Sequence, residues 1–179
     1  MPHSIIRFVL FLSLIVCSDR ISAQLVDDFN DGDFTNGTSW TGDTDDFVVN
    51  ITGELQLMAP EAGESSLFTT LTYPDTIQLD MIFRLEMSPS SSNFGLIYLG
   101  LDDLDASVAN GYYLQIGESG SNDAIKLYRL DSGSETLLAT ASDGAIASDP
   151  AQASISVTIY PDGLWSFSTD YNLTGFNEL

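Results

Sequence analysis

The sequence predicts an all-β protein of two antiparallel sheets laid face to face, and three stretches predict it. Residues 76–87, TIQLDMIFRLEM, place Ile77, Leu79, Met81, Phe83, Leu85 and Met87 on one side and Gln78, Asp80, Ile82, Arg84 and Glu86 on the other. A helix would scatter both sets around its circumference, whereas a strand separates them. Residues 110–130, NGYYLQIGESGSNDAIKLYRL, read as two alternating runs around the polar loop ESGSND, a β-hairpin. Residues 153–169 repeat the arrangement, with ASISVTI and LWSFST joined by the turn Tyr160-Pro161-Asp162-Gly163. An apolar row as long as that of residues 77–87 needs a second sheet over it.

The other elements follow in chain order. Residues 1–23 read as a secretory signal peptide: Arg7 supplies the positive start, FVLFLSLIVC the apolar centre, and Ile21-Ser22-Ala23 the small-residue end before Gln24. The competing readings are a membrane anchor, for which the run is short, and lipid attachment at Cys17, where Val16 is bulky for such a site. Residues 24–179 then form one domain, a size that suits a single core. Leu25, Val26 and Phe29 begin an edge strand. Trp40 is an aromatic of the core or of a covered sheet. Phe47-Val48-Val49 and GELQLMA (53–59) alternate, with Leu55 and Leu57 on one face, and residues 66–71 form another short strand. NFGLIYLGL (93–101) is apolar on both sides and is expected in the middle of a sheet. In the hairpin, Tyr112, Leu114 and Ile116 share one face, with Tyr113 and Gln115 opposite. Ile125 and Leu127 likewise oppose Lys126 and Tyr128, while Arg129 fits only at a rim. Residues 135–141 form a weaker strand. The total is about eleven strands and no helix, a spacing that means sandwich or barrel.

Composition narrows the chemistry. The chain has 5 basic and 26 acidic side chains, a net charge of −21. With the leader removed, only Arg84, Lys126 and Arg129 remain basic. Such a surface repels nucleic acid and anionic membranes. Removal also takes away Cys17 and His3, the only cysteine and histidine. Serine or cysteine catalysis through an imidazole and zinc sites on His or Cys are thereby excluded for the processed chain. Oxygen-ligand sites remain. Asp27, Asp28, Asp31 and Asp33 crowd the turn DDFNDGD, where repulsion calls for water or a cation, and calcium accepts six to eight oxygens. The spacing is not that of an EF-hand loop, and Asp and Asn are also ordinary turn formers.

DDFNDGDFTNGTSWTGDTDDFVVN, GELQL, NGYYLQIGESGSNDAIKLYR and DGLWSFSTD together resemble the N-terminal module of large secreted Bacteroidota proteins that carry lamin-tail domains. The resemblance implies a jelly roll of the concanavalin A-like or laminin-G-like type. In that family further strands follow the position of Asp170-Tyr171, so the chain is expected to be a piece of a larger protein lacking its last strands. The family supplies no activity to carry over. Laminarinase-like members of the fold set Glu, Asp and Glu at alternate positions on one strand, and no such run occurs here. Asp80 and Glu86 flank Arg84 but lie about 20 Å apart along a strand, too far for a glycosidase pair.

The function expected from all this is a non-catalytic extracellular or cell-surface module that binds glycan or a surface partner. No nucleic acid partner and no membrane insertion after processing are expected, and no stretch sets an oligomeric state. Sugar recognition needs aromatic faces and hydrogen-bonding groups. Arg84, Tyr113, Gln115, Lys126 and Tyr128 supply both and are expected to project from one sheet face. The alternatives are ordinary solvent-facing strand residues, a structural spacer or assembly unit and, at the far end, a glycoside hydrolase.

Overall fold

The computed structural model describes residues 27–70, 76–118 and 122–174. The expected leader, together with Leu25 and Val26, lies outside them. Among the described residues the chain is all-β, with eleven strands and one 3-10 turn at Thr44–Asp46. In order these are β1 (Thr41–Gly42), β2 (Phe47–Val49), β3 (Leu55–Leu57), β4 (Leu67–Phe68), β5 (Ile77–Leu85), β6 (Gly95–Leu101), β7 (Gly111–Ile116), β8 (Ile125–Asp131), β9 (Ser134–Thr140), β10 (Ala151–Ile159) and β11 (Trp165–Asp170).

Every strand pairing is antiparallel. Four strands form one sheet in the order β6-β7-β8-β9, and three form another in the order β11-β10-β5. Two short ribbons, β1 with β4 and β2 with β3, complete the set. The sheets are smaller and more divided than the sequence suggested. One core serves both larger sheets. Leu114 and Ile116 of β7 and Ile125 and Leu127 of β8 belong to the same buried cluster as Ala153, Ile155 and Val157 of β10. Leu79, Met81, Phe83 and Leu85 of β5 pack against it, as do Trp165 and Phe167 of β11. The period-two reading therefore assigned these faces correctly. On the opposite face of β5, Ile82 is 72% exposed.

The turns follow their chemistry. Gly163, at φ 82°, closes the expected β10–β11 turn, its N–H donating to Tyr160 O. Between β8 and β9, Ser132 and Gly133 both have positive φ, with Asp131 paired to Ser134. That is the two-residue hairpin turn whose twist matches the flanking strands.

Four expectations need correction. Residues 27–29 are not a strand; the first pairing is β1, which two residues of unremarkable sequence do not announce. β6 is an edge strand of its sheet, not a central one. It is apolar on both sides because its outer side chains, Leu96 and Tyr98, extend an aromatic face. Leu57 is largely exposed although it alternates with Leu55, since the β2–β3 ribbon is too short to bury its full length. Arg84 lies on β5, in the sheet opposite Tyr113, Gln115, Lys126 and Tyr128, so the five do not share a face.

Candidate binding face on the four-stranded sheet

The outer side of the four-stranded sheet carries a row of rings. In register, Tyr98 pairs with Tyr113, Tyr113 with Tyr128, and Tyr128 with Leu137. Side chains directly opposite on one face of a sheet lie close enough to touch. Tyr113 and Tyr128 stack at 5.0 Å between ring centroids and 8° between planes, and Tyr98 leans on Tyr113 at 5.5 Å and 47°. The middle ring is enclosed: Tyr113 is 4% exposed while Tyr98 is 40% exposed and Tyr128 half-buried. Tyr113 Oη donates to Glu135 Oε1 at 2.8 Å. Burial first, and that hydrogen bond second, hold the Tyr113 phenol well above its ordinary value. Burial, then the charges of Glu64 and Glu135, raise Tyr98 in the same sense.

The neighbouring row runs Leu96, Gln115, Lys126, Thr140. Gln115 Nε2 donates to Gly117 O at 3.1 Å. Lys126 is paired with Glu118. Beside them lies a shallow, open depression of about 590 Å³ among Glu118, Lys126, Leu137, Thr140 and Asp143.

Four of the five expected ligand residues, Tyr113, Gln115, Lys126 and Tyr128, thus meet on one face. Arg84 does not join them: it forms an ion pair with Glu86 at 2.7 Å on the other sheet. Tyr113 is a buried spine rather than a contact surface, and Tyr98 takes the exposed role. The signal for Tyr98 lies in the alternation of Leu96 and Tyr98 against Ile97 and Leu99. A run apolar on both sides hid it. Asp80, the one acid of β5, accepts a hydrogen bond from Gln78 and so serves local pairing. Arg129 pairs with Asp131 at the rim, as the alternation required. All three basic side chains among the described residues are therefore matched by a nearby carboxylate, and the uncompensated charge of the surface is acidic.

The opening carboxylates close turns. Asp27 accepts from Phe29 N and, at 2.8 Å, from Trp40 Nε1, whose ring lies 6.4 Å from that of Phe29. Asp28 accepts from Asn30 N and Nδ2, Asp31 from Asp33 N, and Asp33 from the backbone of Thr35 and Asn36. Among the described residues no three acidic, histidine or cysteine side chains converge as a cation site requires. In this structure Asp27, Asp28, Asp31 and Asp33 each accept hydrogen bonds from neighbours in their own turn.

The Asn30 side chain holds Asp28 below the ordinary aspartate value of 3.8, and the Thr35 backbone N–H does the same for Asp33. Asn110 lowers Asp102 and Ser107 lowers Asp105, while Asn50 lowers Glu54 below 4.5. A depressed folded value means that the unfolded chain takes up protons first. The stabilisation is then complete above the ordinary values and lost as pH falls through the folded ones. Denaturant midpoints should drop on the acid side of that range and be indifferent to calcium or chelator at neutral pH. A midpoint raised by calcium, with the rise lost in Asp31→Ala, would establish a cation site at this turn.

No helix among the described residues is long and apolar enough to cross a membrane. Comparison with protein-family models, with curated proteins and with solved structures finds no match for this chain.

Proposed function

We propose that this chain is a non-catalytic extracellular binding module of the jelly-roll type, and that the outer face of its four-stranded sheet recognises a neutral glycan. One observation carries the reading. Tyr113 is locked between two rings and bonded to Glu135, and it holds Tyr98 and Tyr128 at set positions on either side. Rings fixed in advance lose little conformational freedom on binding, and the exposed parts of Tyr98 and Tyr128 offer apolar surface to a pyranose. Gln115 adds a carbonyl beside them. The acidic surface around the row disfavours sulfated or uronic glycans through like-charge repulsion. No acid pair is required for this role, and none is assigned.

The test is a glycan array on the intact chain, followed by calorimetry on any hit. Binding to neutral but not to sulfated glycans is expected. Tyr128→Ala and Tyr98→Ala should each weaken it roughly two- to tenfold, in line with about 0.5–1.5 kcal/mol for an aromatic contact. Arg84→Ala, on the other sheet, should leave it unchanged. Absence of binding to every glycan would remove the reading and leave a spacer or assembly role.

A further inference from the structure

A second surface is independent of the ring row. β5 closes one side of the three-stranded sheet: β10 pairs with it along all 9 residues without a bulge, and among the described residues no strand pairs its other side. Proteins ordinarily blunt such edges with lysine, proline or a bulge, and IQLDMIFRL has none of these. The strand is also incompletely covered on both faces. Toward the core, Leu79, Met81, Phe83 and Leu85 are half-buried, whereas Ala153, Ile155 and Val157 of the adjacent β10 are fully buried. On the outer face Ile82 stands 72% exposed between the exposed side chains of Asp80 and Arg84.

The order of that outer face selects the occupant. Two copies of one strand, paired antiparallel about a two-fold axis, set each residue opposite its counterpart across the centre. Centred on Ile82, the register places Ile82 against Ile82 of the second copy and Asp80 against Arg84 on both sides of the axis. On the core side it places Met81 against Phe83 and Leu79 against Leu85. The neighbouring registers fail. Centred on Asp80, two aspartates face each other; centred on Met81, Asp80 meets Ile82; centred on Phe83, Asp80 meets Glu86; centred on Arg84, two arginines meet. Opposite charges directly across a ladder stabilise it and like charges do the reverse. Asp80 receives Gln78 through Oδ2, and Arg84 binds Glu86 through Nε. A carboxylate has a second oxygen and a guanidinium five donors, so both can take a further partner. We propose that β5 pairs with β5 of a second copy of this chain in the register centred on Ile82, joining the two three-stranded sheets into one continuous sheet.

The test is the solution mass of the whole chain, by sedimentation or light scattering. A net charge of −21 repels a second copy at long range. The measurement is therefore made at about 0.15 M salt, where a Debye length of about 8 Å screens distant charge but not a contact pair. A concentration-dependent dimer is expected. Asp80→Ala removes both symmetry-related pairs and should weaken it about two- to thirtyfold. Asp80→Arg sets arginine against arginine, and Arg84→Asp sets aspartate against aspartate, so each variant alone should be a monomer. Mixed, the two should form a heterodimer, since every arginine then faces an aspartate, and this also shows that both are folded. The chain carrying both changes should dimerise by itself. Tyr128→Ala should leave the dimer intact, and Arg84→Asp should leave the glycan affinity of each site unchanged, which separates this edge from the glycan face. A monomer at every concentration, a dimer that survives Asp80→Arg, or single variants that stay apart when mixed would overturn the proposal.

Discussion

Replacing Leu114 by alanine is expected to lower the unfolding free energy by about 3–4 kcal/mol, measured by urea denaturation at neutral pH. Leu114 is fully buried at the centre of β7, between Ile97 and Leu127 on the neighbouring strands. It belongs to the cluster that also contains Ile155 and Val157 of the opposite sheet. Truncation removes the transfer energy of the lost carbons and leaves a cavity that two sheets on a rigid ladder cannot close. A loss of that size is a large share of the roughly 5–15 kcal/mol available to a domain. Leu114→Ile, which keeps the volume, should cost less than about 1.5 kcal/mol. Gln115→Ala, one residue on and facing outward, should cost far less than Leu114→Ala. If Leu114→Ala and Gln115→Ala cost the same, the two sheets do not share a core.

That contrast between adjacent residues is the part of the fold that the sequence displays most plainly. Alternation over residues 77–85, 111–116 and 153–159 is long enough that one face is apolar at every position, so the inward set can be read without coordinates. The sheet order is another matter. Strand partners separated by many residues leave no local mark, and nothing in residues 77–85 names Ala151–Ile159 as their neighbour. The same gap explains Arg84. Its alternation placed it correctly as outward, but outward from which sheet depends on long-range pairing. β6 failed for the opposite reason: both of its faces are apolar, one toward the core and one toward the tyrosine row, and a double-sided run is also what a central strand looks like. The carboxylates of residues 27–33 show a further limit. Asp and Asn that cap their own turns and Asp that gather a cation have similar composition, and only the direction of each side chain separates them. Tyr113 and Tyr128 were visible as an outward pair, but that one of them is buried by the other, and by Tyr98, follows from ring stacking across strands.

Gly133→Ala is expected to be nearly as damaging as a core truncation, although it adds a single methyl group. Gly133 adopts φ 76°, a conformation that costs a residue with a β-carbon about 1–3 kcal/mol. A Cβ built there would lie 1.9 Å from Ser107 O and 2.4 Å from Ser107 C, atoms of the main chain that cannot rotate away. The collision falls on a joint. Gly133 N donates to Ala109 O, Ser132 N donates to Asn110 Oδ1, and Asn110 is itself held by Asp102 through its backbone and side-chain nitrogens. The β8–β9 turn therefore docks onto the β6–β7 loop, and moving it to admit a methyl group breaks that contact. β9 also supplies Glu135, the partner of Tyr113, and Leu137, the end of the ring row. Weaker glycan binding should accompany the lost stability. Ser132→Gly distinguishes conformation from contact: Ser132 also has positive φ, at 48°, so glycine there relieves strain and should leave the denaturation midpoint unchanged or higher. A Gly133→Ala protein as stable as the parent would mean that the turn and the loop are not in contact in solution.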